Sequence, residues 1–527
     1  MTDWPGAGDP DLVERRAARE LRRRQRRREI FIRRTVAVAV VGILAIGIAG
    51  GVALTQGGST KAAPAKHHSK PPPKPAPIKG AINPKVPGLT TFRGNLTRTY
   101  YGEGPVPRNP VIRWRYPTSG GMCAQSSDEH GTETWCGTGW TGQPNVIPRK
   151  KTLELRFGAY DDHYHFLNAF TGRPLKPDLV TGDLAKGSAT SDPDGYPLYY
   201  AGSRDNNFRI IATDRSVPTV LWSMNAETSV PYKHWNNDWD GAALVVGDYL
   251  LEGGENSWFY VVKINRGYSH GKVTVDPKIV LTVPGWDDQL AADFPTDAFS
   301  IENSVAYRKG IVYFANSAGL VQGWDIRDVL HGGSHARRVF RFWTGDDTDA
   351  SVVIDDKGFL YVASELEKFD TRSKQVGQLM KLNPFRKGNP LVWSVPVTQT
   401  GFEGSGGIWS TPALDRGMLY VAINAGGLLG VDRKTGSIRW EIPMAGPTWA
   451  SPVVVDNVLI EGDCQGVLHA YDVSKVGVRP PELWSLKLES GCIESTPAVW
   501  RGWIWVGTRG GGMYGISDPR RRRGKTV

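Results

Sequence analysis

Residues 409–440 read WSTPALDRGMLYVAINAGGLLGVDRKTGSIRW, and the fold follows from this phrase. Its short apolar runs are separated by Gly, Asp and Asn, a pattern that predicts several short strands joined by tight turns. Close copies stand at residues 449–484 and 494–518, and looser copies reach upstream to about residue 138. We count eight units, whose starts lie roughly 40 to 60 residues apart, within reach of the range for propeller blades.

A ring explains why the unit is repeated. One four-stranded unit cannot bury both of its faces, whereas units stacked around an axis bury each other's. The eighth unit lacks its outermost strand, and a lone strand, PVIRWRYP, stands before the first unit at residues 110–117. We expect this strand to complete the last blade and leave no long exposed edge. The sequence therefore predicts an all-β, eight-bladed β-propeller of four-stranded blades over residues 91–519.

Three patterns within residues 409–440, GxLYVA, LxGxDxxTGxxxW and STPA, resemble the tryptophan-docking repeats of the pyrroloquinoline-quinone-type propeller superfamily. The resemblance implies that the Trp of one blade packs into a turn of the next. The superfamily includes quinone-dependent alcohol and sugar dehydrogenases, and also a lipoprotein that assists outer-membrane barrel assembly. The chain looks most like actinobacterial membrane-anchored members of unsettled function. The fold alone therefore leaves the activity open.

Features that the resemblance associates with the dehydrogenases are missing from the sequence. Many of them have two adjacent cysteines beside the quinone, and some carry a Cys-x-x-Cys-His haem site; neither pattern occurs here. The long blade insertions that enclose the quinone are absent as well. We therefore favour a binding or scaffolding module without enzymatic activity, and pyrroloquinoline quinone is not an expected cofactor. A quinone-dependent oxidoreductase is the alternative.

The beginning of the chain predicts a membrane anchor. Residues 35–54 contain no charged residue, and twenty helical residues span the core of a bilayer. The Arg-rich segment 1–34 precedes them, so the positive-inside rule places the N-terminus in the cytoplasm and the propeller outside. Residues 55–90, rich in Pro and Lys, form a predicted linker. A cleaved signal peptide is the competing interpretation of the apolar segment.

The net charge of +11 does not describe the folded part. Residues 1–34 and 35–80 contribute +5 each, and the basic tail 520–527 contributes another +5, which leaves about −4 for residues 81–519. A mildly acidic fold argues against nucleic acid as a partner. The predicted partners are the membrane, through the single-pass anchor, and a protein or another component of the cell envelope.

The four cysteines predict two disulfides, because an even number outside the membrane is typical of disulfide-bonded proteins. Three pairings are possible. Cys123 and Cys136 flank one polar loop, and Cys464 and Cys492 lie in adjacent units. We predict the pairs 123–136 and 464–492.

Three acidic residues stand at equivalent points of consecutive units, where the innermost strand begins: Asp240, Glu302 and Asp349. Neighbouring blades would bring these carboxylates together at the mouth of the channel, where their repulsion favours a cation such as calcium or a basic group of a ligand. A solvated, purely structural role is the alternative. Further candidates for the ligand site are Trp239, Trp409 and Trp449, which the alignment places one position earlier, and Asn303 beside Glu302.

The predicted topology can be tested with a reporter fused after Lys79. Because the Arg cluster holds the N-terminus inside, protease added to intact cells should digest the reporter. A reporter that becomes accessible only after lysis would contradict the predicted orientation.

Overall fold

The computed structural model describes residues 80–128, 131–140, 142–149, 151–294, 296–401 and 404–519. The predicted Arg-rich segment, apolar span and basic tail lie outside these ranges, as does the linker before residue 80. In the part that is described, no helix is long and apolar enough to cross a membrane. Residues 75–527 form one compact unit in which all described strands pair with one another. This unit therefore closes without any earlier residue.

Eight sheets, each with four main strands, form the blades. Before blade 1 come β1 (Gly102–Glu103), β2 (Val111–Tyr116) and a hairpin of β3 (Cys123–Asp128) and β4 (Gly131–Cys136). Blade 1 comprises β5 (Asn145–Pro148), β6 (Leu153–Gly158), β7 (His163–Asn168) and β8 (Leu179–Val180), and blade 2 comprises β9 (Thr190–Ser191), β10 (Leu198–Gly202), β11 (Asn207–Ala212) and β12 (Thr219–Asn225). Blade 3 comprises β13 (Leu244–Val246), β14 (Tyr249–Gly253), β15 (Trp258–Lys263) and β18 (Lys278–Pro284), with a side hairpin of β16 (Gly267–Ser269) and β17 (Lys272–Thr274).

The later blades follow the same plan. Blade 4 comprises β19 (Ala306–Arg308), β20 (Ile311–Phe314), β21 (Leu320–Asp325) and β22 (Arg337–Trp343). Blade 5 comprises β23 (Val353–Ile354), β24 (Leu360–Ala363), β26 (Leu379–Leu382) and β27 (Leu391–Val395), with a side pair of β25 (Glu365–Leu366) and β28 (Gly406–Gly407). Blade 6 comprises β29 (Ala413–Asp415), β30 (Met418–Ile423), β31 (Gly427–Asp432) and β32 (Ile438–Pro443), and blade 7 comprises β33 (Val453–Val455), β34 (Val458–Gly462), β35 (Val467–Asp472) and β36 (Glu482–Lys487). Blade 8 contains β37 (Ala498–Trp500), β38 (Trp503–Gly507) and β39 (Met513–Ser517).

Three short helices interrupt the links between strands: α1 (Asp288–Asp293), α2 (Arg327–Leu330) and α3 (Thr371–Val376). Asp287 caps α1 and Asp370 caps α3, each by accepting a hydrogen bond from a backbone N–H of the first turn. The remaining described chain is strand and turn, so the predicted all-β propeller is confirmed.

The ring closes as the sequence predicted. Strand β2 is the outermost strand of blade 8 and pairs antiparallel with β39, and β1 adds a short parallel pairing to β37 on the inner edge. The last blade is therefore built from both ends of the propeller, and neither β37 nor β39 has a free edge in the described part of the chain.

Tryptophan docking joins neighbouring blades. Trp114 on β2 packs on Gly172 in a turn of blade 1, where a Cβ atom would lie 2.6 Å from the indole, and its Nε1 donates to Ala169. Trp393 of blade 5 packs in the same way on Gly436, the glycine of the KTG turn in blade 6. Both glycines have a positive φ, at 68° and 78°. Each repeat unit thus provides a turn on which the Trp of the preceding blade packs. Its own outer strand carries the Trp that packs on the following blade.

Hydroxyl groups join the inner strands around the axis, which explains the Ser or Thr before the Pro of each STPA-like phrase. The backbone N–H at this position in one blade donates to the hydroxyl at the same position in the next. The bonds run from residue 143 to Ser188, 242 to Ser304, 304 to Ser351, 351 to Thr411 and 411 to Ser451. We call these residues the hydroxyl ring.

Residues 88–103 fill one end of the channel, a role that the sequence did not indicate. Leu89 forms a backbone bridge to blade 1, and the backbone carbonyls of residues 90, 96 and 97 accept bonds from blades 2, 4 and 5. The guanidinium of Arg93 donates to carbonyls of blades 6 and 7, and that of Arg98 to carbonyls of blades 3 and 4. Together with β1 on blade 8, this plug contacts every blade.

Two opposite faces follow from the order of the strands. The mouth face carries the links from second to third strand and from each blade to the next. The back face carries the turns from first to second and from third to fourth strand. Described residues begin on the back face, where Asn83 bonds to Asp194 at 3.0 Å.

Both predicted disulfides are confirmed, Cys123–Cys136 and Cys464–Cys492. The first joins the two ends of the β3–β4 hairpin, and the second joins a loop of blade 7 to the link into blade 8. Both lie on the mouth face, and no described cysteine is free.

Replacing Trp114 by Ala should destabilise the closed ring. Its indole is 9% exposed and holds blade 8 against blade 1, so we expect the free energy of unfolding to fall by about 3–5 kcal/mol. Val111→Ala on the same strand is the control, since Val111 is 37% exposed and a surface change of this kind costs about 0.5 kcal/mol or less. Equal denaturant midpoints for the two variants would contradict the docking role.

Candidate functional site

The residue two positions before the ring position of each blade, which is Ala242 in blade 3 and Thr496 in blade 8, lies at the channel mouth. In order from blade 2 to blade 8 these residues are Lys186, Asp240, Glu302, Asp349, Trp409, Trp449 and Glu494. The mouth therefore has an acidic arc over blades 3 to 5 and an aromatic arc over blades 6 and 7. The hydroxyl ring also sets the register: Trp409 and Trp449 are equivalent to the three acids, not one position earlier as the sequence alignment had them.

In blade 3 the acidic arc encloses a lysine. The carboxylates of Asp238, Asp240 and Glu255 lie 3.3, 2.7 and 3.2 Å from Lys186 Nζ. Arg204 pairs with Asp238 as well, at 2.9 Å. Burial acts to lower the pKa of Lys186, but the charges of Asp240 and Glu255 raise it well above its usual value. The ammonium group is thus held as a built-in cation.

Blade 5 repeats the arrangement without such a cation at its centre. Carboxylate oxygens of Asp347, Asp349 and Glu365 lie within 4.8 Å of one another. Lys368 is 2.6 Å from Asp347, and no described base lies within ion-pair distance of Asp349 or Glu365. Burial, together with the charge of Asp347, raises the pKa of both Asp349 and Glu365 well above the usual range. Both carboxyl groups therefore bind a proton more tightly than an ordinary carboxyl group does.

Glu302 connects the two triads. Its Oε1 accepts hydrogen bonds from Ser300 and Ser317, at 2.6 and 3.0 Å. Burial raises its pKa to about 7, and the charge of Asp347 and then that of Asp240 add to the shift, while Lys186 opposes it. A group with this pKa changes its charge near neutral pH, so the net charge of the arc depends on pH.

The predicted acids occupy neighbouring blades of the mouth, but they do not form one ligand set. Asp240 belongs to the triad around Lys186, Asp349 belongs to the triad of blade 5, and Glu302 stands between them. Two triads coupled by one glutamate therefore replace the single convergent site that the sequence predicted.

Trp239 and Asn303 have structural positions. The indole of Trp239 is 1% exposed, packs against Phe208 and donates to the carbonyl of Asn206. The amide of Asn303 bridges the carbonyls of Ala315 and Thr348, which ties blade 4 to the link before blade 5. Neither side chain faces the mouth as a free ligand group.

Trp409 and Trp449 form the aromatic arc. Their rings stack with centroids 5.0 Å apart and planes at 16°. Trp409 follows β28 closely, and β28 pairs with β25 so that Gly407 stands opposite Glu365. The half-buried Trp409 is thus adjacent to the blade 5 triad.

The β3–β4 hairpin leans over the other side of the mouth. Trp135 of this hairpin packs against the guanidinium groups of Arg204 and Arg509, whose central carbons lie 5.3 and 4.9 Å from the ring centroid. Arg509 also pairs with Glu494, at 3.2 Å. The hairpin therefore rests on the same charged groups that line the mouth.

Sequence reasoning missed Lys186 and four of the six triad carboxylates. A signal was present, since Asp238-Trp239-Asp240 and Asp347-Thr348-Asp349 both precede an inner strand. In each blade a glutamate follows the second strand by two residues, Glu255 after β14 and Glu365 after β24. Only the ring, however, shows that these separate motifs meet.

No family model and no curated protein matches the chain. Among solved structures, a quinohemoprotein alcohol dehydrogenase from Pseudomonas putida HK5 matches with a TM-score of 0.56 and 11% identity, over 84% of this chain and 81% of that one. The corresponding enzyme from Comamonas testosteroni gives 0.53 and 11%, over 84% and 82%. A europium-containing methanol dehydrogenase gives 0.52 and 15%, over 82% and 98%. The likeness confirms the quinoprotein-type propeller fold that the repeats resemble, and at this identity it extends no further.

Without a bound cation, the described mouth leaves no unpaired base for pyrroloquinoline quinone, the cofactor that the resemblance of the repeats brings into question. That quinone is a carboxylate-bearing anion, and seven carboxyl groups occupy blades 3 to 5 at the mouth. The bases beside them already have partners: Lys186, Arg204 and Lys368 in the acidic arc, and Arg509 on Glu494. An added anion would meet like charge in a poorly hydrated site. A divalent cation suits the donors better, since clustered carboxylate oxygens are what calcium prefers.

Replacing Glu302 by Gln should remove part of the pH dependence of stability. The folded pKa of about 7 exceeds the usual value, so the folded state binds the proton more tightly and the native protein loses stability as pH rises from about 4.5 to 7. We expect Glu302→Gln to be more stable than the wild type at pH 8, by about 1–3 kcal/mol. At pH 4 the difference should vanish. Urea titrations in the presence of a chelator measure both, and a constant difference across pH would contradict the raised pKa.

Proposed function

We propose that this protein is a membrane-anchored, extracytoplasmic binding module whose channel mouth binds a positively charged ligand. One comparison within the molecule carries the proposal: two equivalent acidic triads occur, and Lys186 contacts all three carboxylates in blade 3, whereas in blade 5 the described base Lys368 contacts only Asp347 of the three. The ligand would occupy the corresponding place among Asp347, Asp349 and Glu365.

The energetics favour a ligand at this place. Two carboxyl oxygens, Oδ1 of Asp347 and Oδ1 of Asp349, are buried without a hydrogen-bond partner among the described residues. An unsatisfied buried polar group costs about 1–3 kcal/mol. A cation would satisfy both oxygens and compete with protons for Asp349 and Glu365, so its affinity should rise with pH. Calcium is the simplest ligand with these properties.

The adjacent Trp409 and Trp449 broaden the class of ligand. An indole face attracts an ammonium or guanidinium group, and the attraction grows when water is excluded. A basic side chain of an envelope protein could therefore dock where carboxylates and stacked indoles lie side by side. This would make the mouth a scaffolding contact.

The quinone-dependent oxidoreductase is less well supported than the binding module. The solved structures with which the chain shares its fold include such dehydrogenases, but the likeness is one of fold only. The acidic arc disfavours the anionic quinone, and the repeated feature of the mouth, the doubled triad, needs no redox chemistry. We therefore propose that the protein binds a ligand and does not catalyse a redox reaction.

Calcium binding tests the proposal. Adding calcium to the purified protein at pH 7.5 should raise its Tm, because a ligand that binds only the native state stabilises it. The Asp349→Asn/Glu365→Gln variant should lose most of this shift. It keeps the size of both side chains and removes the charges that the cation would meet.

Glu227→Gln is the matched control, since Glu227 lies on the mouth face outside both triads and its side chain is 51% exposed. The control should respond to calcium like the wild type, and the wild-type response should weaken at pH 5. An equal response in all three proteins would reject the blade 5 triad as the site.

A further inference from the structure

The two faces of the propeller carry opposite charge. Among the described residues, the segments that form the mouth face contain 24 Asp and Glu but only 7 Lys and Arg, and those that form the back face contain 18 Lys and Arg but 9 Asp and Glu. The mouth-face segments are 117–144, 159–162, 181–189, 203–206, 226–243, 254–257, 285–305, 315–319, 344–352, 364–378, 396–412, 424–426, 444–452, 463–466, 488–497 and 508–512. The back-face turns are 149–152, 169–177, 192–197, 213–218, 247–248, 264–277, 309–310, 326–336, 355–359, 383–390, 416–417, 433–437, 456–457, 473–481 and 501–502. The charge of about −4 on residues 81–519 is thus distributed unevenly between the two faces.

Apolar side chains project from the same basic turns. Phe385 is 65% exposed and Tyr268 is 59% exposed. Phe385 is followed directly by the exposed Arg386 and Lys387. The other exposed hydrophobic residues of this face are Leu175, Val217, Val476 and Val478. Apolar tips set among cationic residues are the combination that binds a membrane interface.

The path of the chain agrees with this reading of the back face. The described residues begin there, with Asn83 bonded to Asp194, and the predicted span 35–54 precedes them by a short spacer. A back face turned towards the bilayer would keep the acidic mouth away from anionic lipid headgroups, which repel it.

We propose that the back face of the propeller is a membrane-contact surface that docks on anionic lipid headgroups, so that the mouth opens away from the bilayer. Each base that reaches such a surface strengthens binding about fivefold, and the effect falls off within a Debye length. Phe385 and Tyr268 would add contact with the interfacial region. The proposal goes beyond the proposed function, because docking needs neither the mouth nor the anchor.

Vesicle binding by residues 75–519 tests the proposal, since this part of the chain closes its own ring and lacks both the anchor and the basic tail. Sedimentation should show binding to vesicles of phosphatidylcholine with phosphatidylglycerol, no binding to phosphatidylcholine alone, and release by salt. On the bound protein, hydrogen exchange should slow in residues 383–390 of the back face and stay unchanged in residues 364–378 of the mouth face.

Matched variants separate the surface from total charge. Arg386→Gln/Lys387→Gln should weaken vesicle binding at least about fivefold, whereas Lys233→Gln/Lys374→Gln, which removes two exposed bases from the mouth face, should not weaken it. Adding Phe385→Ser to the Arg386→Gln/Lys387→Gln variant should weaken vesicle binding further. Calcium affinity should be unchanged in all of them, so failure here is distinguishable from failure of the proposed function.

Three results would overturn the proposal. The first is the absence of binding to phosphatidylglycerol vesicles at low salt. The second is an equal loss in the back-face and mouth-face variants, or slowed exchange on the mouth face. The third is tighter binding to a soluble polyanion such as heparin than to the vesicles, which would assign the face to a polymer instead of a membrane.

Discussion

Closure of the ring by the N-terminal part of the chain is the constraint on which the rest of the structure depends. A propeller is a sheet stack with two ends, and its blades bury their faces only while the ends are joined. Here residues 88–116 join them in two ways. Strand β2 completes blade 8 from outside, and the plug fixes the inner strands of all eight blades from the axis. One segment therefore holds both the rim and the centre.

The plug works through buried arginines, whose burial is costly unless hydrogen bonds compensate for the lost hydration. Arg93 and Arg98 are fully buried and donate to backbone carbonyls of inner strands in four blades. Two buried glutamates on opposite blades complement them at longer range, Glu461 near Arg93 and Glu252 near Arg98. Such a network locks the relative positions of the blades, and with them the mouth.

One position of the repeat determines which side chain each blade contributes to the mouth. One position of the unit, two residues before the hydroxyl ring, is acidic in four blades, aromatic in two and basic in one. Because the scaffold is the same in each blade, changing this residue alters the chemistry without altering the fold. The two triads are an example: the Asp-x-Asp and Glu residues of blade 3 surround a lysine from the preceding blade, whereas in blade 5 a lysine contacts only Asp347 of the three.

Charge is organised on the scale of the whole molecule as well. Successive links alternate between the two faces, so a bias in their composition turns into a dipole along the axis. An acidic mouth concentrates cations near the triads, while the basic back face carries the end from which the chain leads towards the predicted anchor. Docking of the back face on the membrane would thus turn the proposed ligand site away from the bilayer.

The sequence by itself determined the repeat, the number of blades, the strand that closes the ring and both disulfides. These are local patterns or simple counts, and local geometry enforces them: the docking glycines need a positive φ, and a missing strand must be supplied. Only the tertiary structure decided what the mouth contains. The triads join residues such as Asp240 and Lys186 across blades, and a shift of one position in aligning the units had misplaced Trp409 and Trp449. The plug left no trace in the pattern either, because residues 88–103 belong to no repeat and their contacts are to backbone carbonyls, which every residue has.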